Sequence, residues 1–195
     1  MTSTTKRLII FASGGGSNAE AIINYFSEND LAEVVLIVTN KKEAGVLQRA
    51  DKHNIPTLVI NKKALGRKEY LLPALAAYKP DLLILAGFLL LIPAHLVEAY
   101  PEAILNIHPA LLPKYGGKGM YGHHVHQAVF DNNEKASGPT IHLVNTQYDE
   151  GQILFQTEVA LDPMDTPDII AQKVLALEHR HYPQVIEQYL LDRIT

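Results

Sequence analysis

The stretch Lys6–Asn18, KRLIIFASGGGSN, decides the fold, because an apolar run ends there in three consecutive glycines. Residues Lys6–Ala12 have the Leu/Ile/Phe character of a strand that is buried on both faces of a sheet. Apolar residues at helical spacing follow the glycines: Ala19, Ile22, Ile23 and Phe26. The stretch therefore predicts a strand, a glycine turn and a helix, which form the first unit of a parallel α/β sheet.

The rest of the chain repeats this alternation of apolar runs and segments of helical period. The predicted strands are Lys6–Ala12, Val34–Thr39, Thr57–Ile60, Leu82–Ala86, Ala103–Ile107, Thr140–Val144 and Ile153–Val159. The later predicted helices are about 44–53, 67–78, a short one after Pro93, 123–130, and a C-terminal helix that Thr166 caps and Pro183 interrupts. This order predicts an α/β fold with a mostly parallel sheet of about seven strands and helices on both faces.

Composition excludes several classes of protein. A chain of 195 residues, 47% of them hydrophobic, has the size of one domain, so we assign 1–195 to a single domain. The net charge of -4, without a long Lys/Arg block, argues against a nucleic-acid partner. The absence of cysteine excludes disulfides, cysteine–zinc sites and thiol catalysis. The longest apolar run, Leu82–Ile92, is far shorter than the roughly 20 residues that span a bilayer, and this predicts a cytoplasmic protein without a membrane partner.

The glycine loop, residues 13–18, is the first feature that indicates chemistry. Glycines let the backbone approach a ligand, and the amides that open the next helix favour an anion. Gly14, Gly16 and Ala19 also satisfy the relaxed dinucleotide-binding pattern, but Asn40 stands near the end of the second strand, where a ribose-binding acid is expected. No Gly-Lys-Ser/Thr follows, so a P-loop is excluded. The loop predicts an anion site without naming the anion.

The segment Asn106-Ile107-His108-Pro109 is more informative. Side chains alternate along a strand, so Asn106 and His108 point to one side, at the carboxyl end where open α/β sheets bind ligands. The amide of Asn106 suits a developing oxyanion, and the imidazole of His108 exchanges protons near neutral pH. Asp149, in a turn before a strand, is a candidate for the carboxylate that orients the histidine. Acyl transfer to an amine is the chemistry that uses such groups.

A histidine cluster at 123–126 invites a metal interpretation. On a helix His123 and His126 share a face, whereas His124 points elsewhere, and no carboxylate stands at ligand spacing. We therefore predict solvated histidines and no metal.

These residues together resemble the phosphoribosylglycinamide formyltransferase family, the folate-dependent enzymes of purine synthesis, over nearly the whole chain. The motifs that carry the resemblance are Gly14–Asn18, Leu85-Ala86-Gly87-Phe88, the run Asn106–Pro113 (NIHPALLP), and Asp149-Glu150-Gly151-Gln152. The resemblance implies a Rossmann-like sheet with a nucleotide-binding half to about residue 100 and a catalytic, folate-binding half from about residue 101. It implies direct transfer of a formyl group from 10-formyltetrahydrofolate to the amine of glycinamide ribonucleotide, in IMP synthesis.

The same resemblance implies a role for particular residues. The implied catalytic residues are Asn106, His108 and Asp149. The implied ribonucleotide contacts are Gly16, Ser17 and Asn18 for the phosphate and Glu178 for the ribose hydroxyls. The implied folate contacts are Arg67, Leu89, Leu90, Leu91, Ile92 and Asn106, with Arg67 at the glutamate tail. Partners are then small molecules only, and the chain is a monomer or a homodimer.

Other folate-dependent enzymes share this core and remain alternatives. A formyltetrahydrofolate deformylase uses water as the acceptor, and a sugar N-formyltransferase uses an amino sugar. We expect neither the regulatory N-terminal domain usual in deformylases nor the C-terminal RNA-binding domain of methionyl-tRNA formyltransferases. A nucleotide- or NAD-binding protein is the alternative from another class, and a non-catalytic folate-binding module is a further one.

Overall fold

A seven-stranded sheet forms the centre of the computed structural model, which describes residues 5–193. Residues 1–4 and 194–195 of the predicted domain lie outside the described residues. The strands of this sheet are β1 (Lys6–Phe11), β2 (Ala32–Thr39), β3 (Thr57–Val59), β4 (Leu82–Leu85), β5 (Ile104–His108), β7 (Thr140–Leu143) and β8 (Ile153–Gln156). A separate antiparallel pair consists of β6 (Ala136–Ser137) and β9 (Val159–Ala160).

The sheet has the order β3-β2-β1-β4-β5-β7-β8. The first five strands are parallel, and β7 and β8 extend the sheet in antiparallel pairing. The predicted α/β class and the mostly parallel seven-stranded sheet are confirmed. The proposed division into two halves near residue 100 stays a prediction.

Helices cover both faces of this sheet. They are α1 (Ser17–Ser27), α2 (Val46–Lys52), α3 (Lys62–Leu65), α4 (Lys68–Ala76), α5 (Ala94–Ala99), α6 (His123–Asp131) and α7 (Pro167–Asp192). Alternate residues of β1 enter the two cores: Leu8 and Ile10 pack with α1, α2 and α7, whereas Ile9 and Phe11 pack with α3, α4 and α5. The period of two along each strand thus explains why β1 carries no polar residue between Leu8 and Phe11.

The C-terminal helix continues through Pro183, so the predicted interruption is wrong. A proline inside a helix removes one hydrogen bond and costs about 3 kcal/mol. Here Tyr182, Ile186 and Leu190 pack into the core on either side of Pro183, and the Tyr182 hydroxyl donates towards the carbonyls of Leu85 and Leu105, each at 3.1 Å. This packing outweighs the missing bond and holds α7 as one element.

Other differences are local. The predicted strand 153–159 is divided into β8 and β9, and the short helix α3 was not predicted. Its N-cap, Asn61, accepts a hydrogen bond from the amide of Ala64 at 2.8 Å. No helix within residues 5–193 has both the length and the apolar composition to cross a membrane.

The loops after β1, β4 and β5 leave the sheet at one edge, because these three neighbouring strands run in parallel. The first two loops are bonded to each other: the amide of Ser13 donates to the carbonyl of Gly87 at 3.0 Å, and the Ser13 hydroxyl accepts from the amide of Leu89 at 2.9 Å. This edge carries the candidate site.

Candidate active site

A cavity of about 750 Å³ opens at the carboxyl ends of β1, β4 and β5. Its lining comes from the glycine loop, from 87–92, from 106–109, from 117–123, from the segment around His142 to Asp149, and from the α7 residues Ala171, Leu175 and Glu178. Open parallel sheets place their ligand sites at this position. The volume suits a molecule of drug or cofactor size.

Asn106 is held in this cavity by a histidine on the neighbouring antiparallel strand. The β5–β7 register pairs Asn106 with His142, and the amide Nδ2 lies 3.0 Å from the ring Nε2. The other ring nitrogen, Nδ1, lies 2.8 Å from the carbonyl oxygen of Leu143 and therefore carries a proton. In a neutral ring Nε2 then accepts one N–H of Asn106. The second N–H of the amide stays available for a ligand.

His142 is a site residue that sequence reasoning missed. It is 2% exposed, lines the cavity, and contacts two of the three predicted catalytic residues. The alternation of Thr140–Leu143 could have indicated an inward-facing polar residue. The pairing of this strand with β5 is a long-range contact that no local pattern reveals.

His108 ends β5 and is almost completely buried, with 4% exposure. Its Nε2 donates to the carbonyl of Tyr115 at 2.8 Å, and its Nδ1 lies 3.6 Å from Oδ2 of Asp149. Burial lowers the pKa of His108 below the ordinary value, because it disfavours the charged ring, and the Asp149 carboxylate opposes this change. The pair thus joins a buried imidazole to a carboxylate that stabilises its protonated form.

Asp149 occupies the centre of the cluster, with a left-handed backbone (φ 54) that aspartate tolerates better than most residues. Its Oδ2 accepts the amide N–H of Gly117 at 2.9 Å, and its Oδ1 lies 3.7 Å from Nε2 of His142. Burial pushes the pKa of Asp149 upward, but His142, His108 and the Gly117 amide together hold the pKa below its usual value. The carboxyl group is therefore ionised at neutral pH. The structure brings Asn106, His108 and Asp149 into one cavity.

The glycine loop lies at the other end of the cavity. Gly16 has φ 76, and a Cβ on it would lie 2.5 Å from Cγ2 of Val46, so no other residue fits this position. Ser13, Gly14 and Asn18 line the cavity, whereas the predicted residues Gly16 and Ser17 do not.

Two predicted ribose and phosphate contacts meet at this end of the cavity. The Asn18 amide Nδ2 donates to Oε2 of Glu178 at 2.6 Å, and Asn18 Oδ1 has no protein partner. Burial raises the pKa of Glu178 to about 7, against the Asn18 hydrogen bond, which lowers it. An unpartnered amide oxygen and a buried carboxyl group both suit a ligand that donates hydroxyl hydrogens.

An apolar wall forms a third part of the cavity. All four predicted residues, Leu89, Leu90, Leu91 and Ile92, line it. Arg67 is exposed at the N-cap of α4 and is not among the lining residues, so its predicted contact stays a prediction. Leu89 and Leu91 expose 38% and 43% of their surface, which suits a flat aromatic ligand with one open edge.

The three histidines of 123–126 have separate surroundings, and the predicted solvation is wrong for His126, which is 7% exposed because α6 turns it into the cavity wall. His123 lies 3.6 Å from Asp168 of α7, His126 is buried in the cavity wall, and His124 packs edge-on against Tyr121. Among residues 5–193, no group of three or more side chains has metal-binding geometry.

Comparison with known proteins places the chain. A sequence profile of the formyl transferase family matches residues 6–186. The chain belongs to this family of formyl transferases. It is 46% identical over 195 residues to the chloroplastic phosphoribosylglycinamide formyltransferase of Arabidopsis thaliana, a match that covers 97% of the chain and 67% of that protein.

Other relatives match this formyl transferase over most of their own length. It is 36% identical to the phosphoribosylglycinamide formyltransferase of Bacillus subtilis, with 95% of each chain covered. Among solved structures, the phosphoribosylglycinamide formyltransferase of Brucella melitensis is 39% identical with a TM-score of 0.85, covering 95% of this chain and 96% of that one. The chain spans about two-thirds of the plant relatives it matches, at 67% and 64% of their lengths.

Proposed function

We propose that this formyl transferase moves the formyl group of 10-formyltetrahydrofolate to the amine of glycinamide ribonucleotide, a step of purine synthesis. The observation that carries the proposal is that Asn106, His108 and Asp149 line one cavity. Asn18 and Glu178 line the same cavity. The relatives named phosphoribosylglycinamide formyltransferase support the same acceptor. Formyl transfer needs a hydrogen-bond donor for the developing oxyanion and a group that carries a proton, and this cavity offers both.

The reaction is an attack of the substrate amine on the formyl carbon. The carbonyl oxygen becomes an oxyanion, and the free N–H of Asn106 donates to it, which stabilises the charge that develops. The attacking nitrogen loses a proton, the bond from carbon to the folate nitrogen breaks, and that nitrogen gains a proton. His108 carries the proton between the two nitrogens, and ionised Asp149 stabilises its charged form.

The two substrates occupy opposite ends of the cavity in this proposal. The phosphate lies at the start of α1, against Asn18 in the cavity lining and the backbone of Gly16 and Ser17, which precede Asn18 directly and lie outside that lining. Glu178 accepts hydrogen bonds from the ribose hydroxyls, which the free oxygen of Asn18 also suits. The pterin lies against Leu89–Ile92, and Arg67 meets the glutamate tail where the folate leaves the cavity.

One assay separates this function from the alternatives. Purified protein is given 10-formyltetrahydrofolate with glycinamide ribonucleotide, with water alone, or with an amino-sugar nucleotide. We expect tetrahydrofolate and formylated ribonucleotide in equal amounts in the first reaction, and at least a hundredfold slower folate release in the others. Equal release with water alone would indicate a deformylase, and release only with the amino sugar would indicate a sugar N-formyltransferase; either result would contradict the proposal.

A further inference from the structure

Two lysines, Lys41 and Lys118, line the cavity. The surroundings of Lys41 differ from those of Arg49, the other cation near the glycine loop. Lys41 and Lys118 are both exposed, and no carboxylate within residues 5–193 forms an ion pair with Lys41. Arg49, by contrast, pairs with Glu20, and its Nε donates to the carbonyl of Gly15 at 2.6 Å. The charge of Arg49 is thus compensated by the protein, whereas that of Lys41 is not.

The fold places Lys41 beside the glycine loop. β1 and β2 are parallel, with Phe11 opposite Val38, so the segments that follow these strands emerge together at the same edge of the sheet. The Ser13 hydroxyl ties the two segments, because it donates to Oδ1 of Asn40 at 2.5 Å. The ammonium group is therefore carried on a segment that is bonded directly to the loop.

The backbone of Lys41 is fixed, although its side chain is exposed. Its amide donates to the hydroxyl of Thr39 at 3.3 Å, and its carbonyl accepts from the amide of Ala44 at 3.3 Å. Thr39 is itself fully buried. The fixed backbone and the flexible side chain allow the ammonium group of Lys41 to move onto a ligand and to act there as a point charge.

The glycine loop supplies backbone N–H donors, which suit an anion just as the positive charge of Lys41 does. The first helical bond of α1 runs from the amide of Glu20 to the carbonyl of Gly16, so the amides of 17–19 precede the helical ladder. No side chain caps these amides. The adjoining Asn18 is 8% exposed, lines the cavity and has an oxygen without a partner; this oxygen accepts hydrogen bonds, which independently indicates that a ligand with hydroxyl groups, such as a sugar phosphate, completes this end.

We propose that Lys41 binds the substrate's phosphate and is the residue that selects a phosphorylated amine over an unphosphorylated one. The inference rests on the proposed function and deepens it, since the glycine loop alone offers only neutral donors. An ammonium group adds a charge-assisted hydrogen bond to a phosphate dianion. Lys41 follows β2, which lies three strands away from β5 with Asn106 and His108, so it is a specificity residue and does not act on the reacting atoms.

Steady-state kinetics of Lys41→Gln test this inference, with Lys42→Gln as the matched control. Lys42 is the exposed neighbour of Lys41 and does not line the cavity. For Lys41→Gln we expect the KM for glycinamide ribonucleotide to rise about tenfold or more, with kcat and the KM for the folate within twofold of wild type. The KM of the wild type should also rise more steeply with salt than that of the variant, because one ion pair fewer is screened.

Three kinetic results would overturn the proposal. The first is a KM for the ribonucleotide within twofold of wild type in Lys41→Gln. The second is an increase in Lys118→Gln in place of Lys41→Gln, which would put the anion at the other end of the cavity. A fall in kcat alone would also contradict the role, because it would link Lys41 to the chemistry.

Thermal protection by inorganic phosphate keeps this test independent of the formyl acceptor. A ligand that binds only the folded protein raises the melting temperature. We expect millimolar phosphate to raise the Tm of the wild type and of Lys42→Gln, and to raise that of Lys41→Gln by less than half as much. If the wild type fails to formylate glycinamide ribonucleotide yet the proteins show this difference in Tm, the proposed acceptor is wrong and the anion-binding role of Lys41 is supported. Equal protection of all three proteins would refute the role of Lys41.

Discussion

The two ends of the cavity are built differently. At the catalytic end, side chains of two paired strands meet, and His108 and His142 are 4% and 2% exposed, with both ring nitrogens of each in contact with protein groups. At the anchoring end, Asn18 and Glu178 are buried as well, but Gly14 and Lys41 are exposed, and free backbone amides accompany the side chains. This difference agrees with the proposed function, in which the reaction requires atoms fixed before the substrate arrives, whereas the phosphate tolerates donors that adjust to it.

The largest effect is expected at the catalytic end. His108→Ala should lower kcat by about a thousandfold, within the range for loss of a general acid–base group, and Asp149→Asn should lose most activity as well. Both variants should retain the wild-type circular dichroism spectrum. His124→Ala, which removes an exposed histidine outside the cavity lining, is the control and should keep full activity. Turnover near that of the wild type in His108→Ala would refute the proton-transfer role.

Glu178 links the anchoring end to stability. Its pKa of about 7 in the folded protein exceeds the ordinary glutamate value of 4.5, so the folded state holds the proton over a range where the unfolded state has lost it. Stability is therefore expected to fall as pH rises from about 4.5 to about 7, by up to about 3 kcal/mol. Glu178→Gln, which can still accept the Asn18 hydrogen bond, should remove this dependence. Urea unfolding at pH 5 and pH 8 measures it, and equal pH dependence in the two proteins would show that Glu178 does not titrate in this range.

A smaller effect is expected for His142, which acts through its neighbours. His142→Leu should lower kcat roughly tenfold, because Asn106 loses the acceptor that orients it. His142 also lowers the pKa of Asp149, so its removal should raise that pKa. The acid limb of the profile of kcat/KM against pH should then move to higher pH. A variant with reduced kcat but an unmoved acid limb would limit His142 to a packing role.

Local patterns in the sequence predict much of this architecture. The strands β1 to β5 agree with the apolar runs to within about two residues, and the agreement is clearest for β1 and β4, which are buried on both faces and therefore apolar along most of their length. Matched side-chain direction likewise predicted that Asn106 and His108 act together. Such patterns are short-range, and they extend over one element at a time.

Contacts between distant segments could not be predicted in this way. The pairing of Asn106 with His142 depends on the β5–β7 register, and the Asn18–Glu178 bond joins residues 160 positions apart. Glu178 was predicted as a site residue only because the family resemblance implies it. No local pattern in the sequence distinguishes Lys41 from Lys42. Pro183 is an example in which a local rule predicts too much: a proline is expected to interrupt a helix, but tertiary packing keeps α7 continuous through it.

One paired measurement tests most directly the claim that chemistry and anchoring are separate. The values of kcat and of both KM constants are determined for Asn106→Ala and Ser17→Asp with glycinamide ribonucleotide and 10-formyltetrahydrofolate. We predict that Asn106→Ala lowers kcat at least a hundredfold with both KM values within threefold of wild type. Ser17→Asp should raise the KM for the ribonucleotide at least tenfold and leave the KM for the folate unchanged, because a carboxylate repels the phosphate. A change in KM alone for Asn106→Ala, or an equal loss for both substrates in Ser17→Asp, would contradict the account.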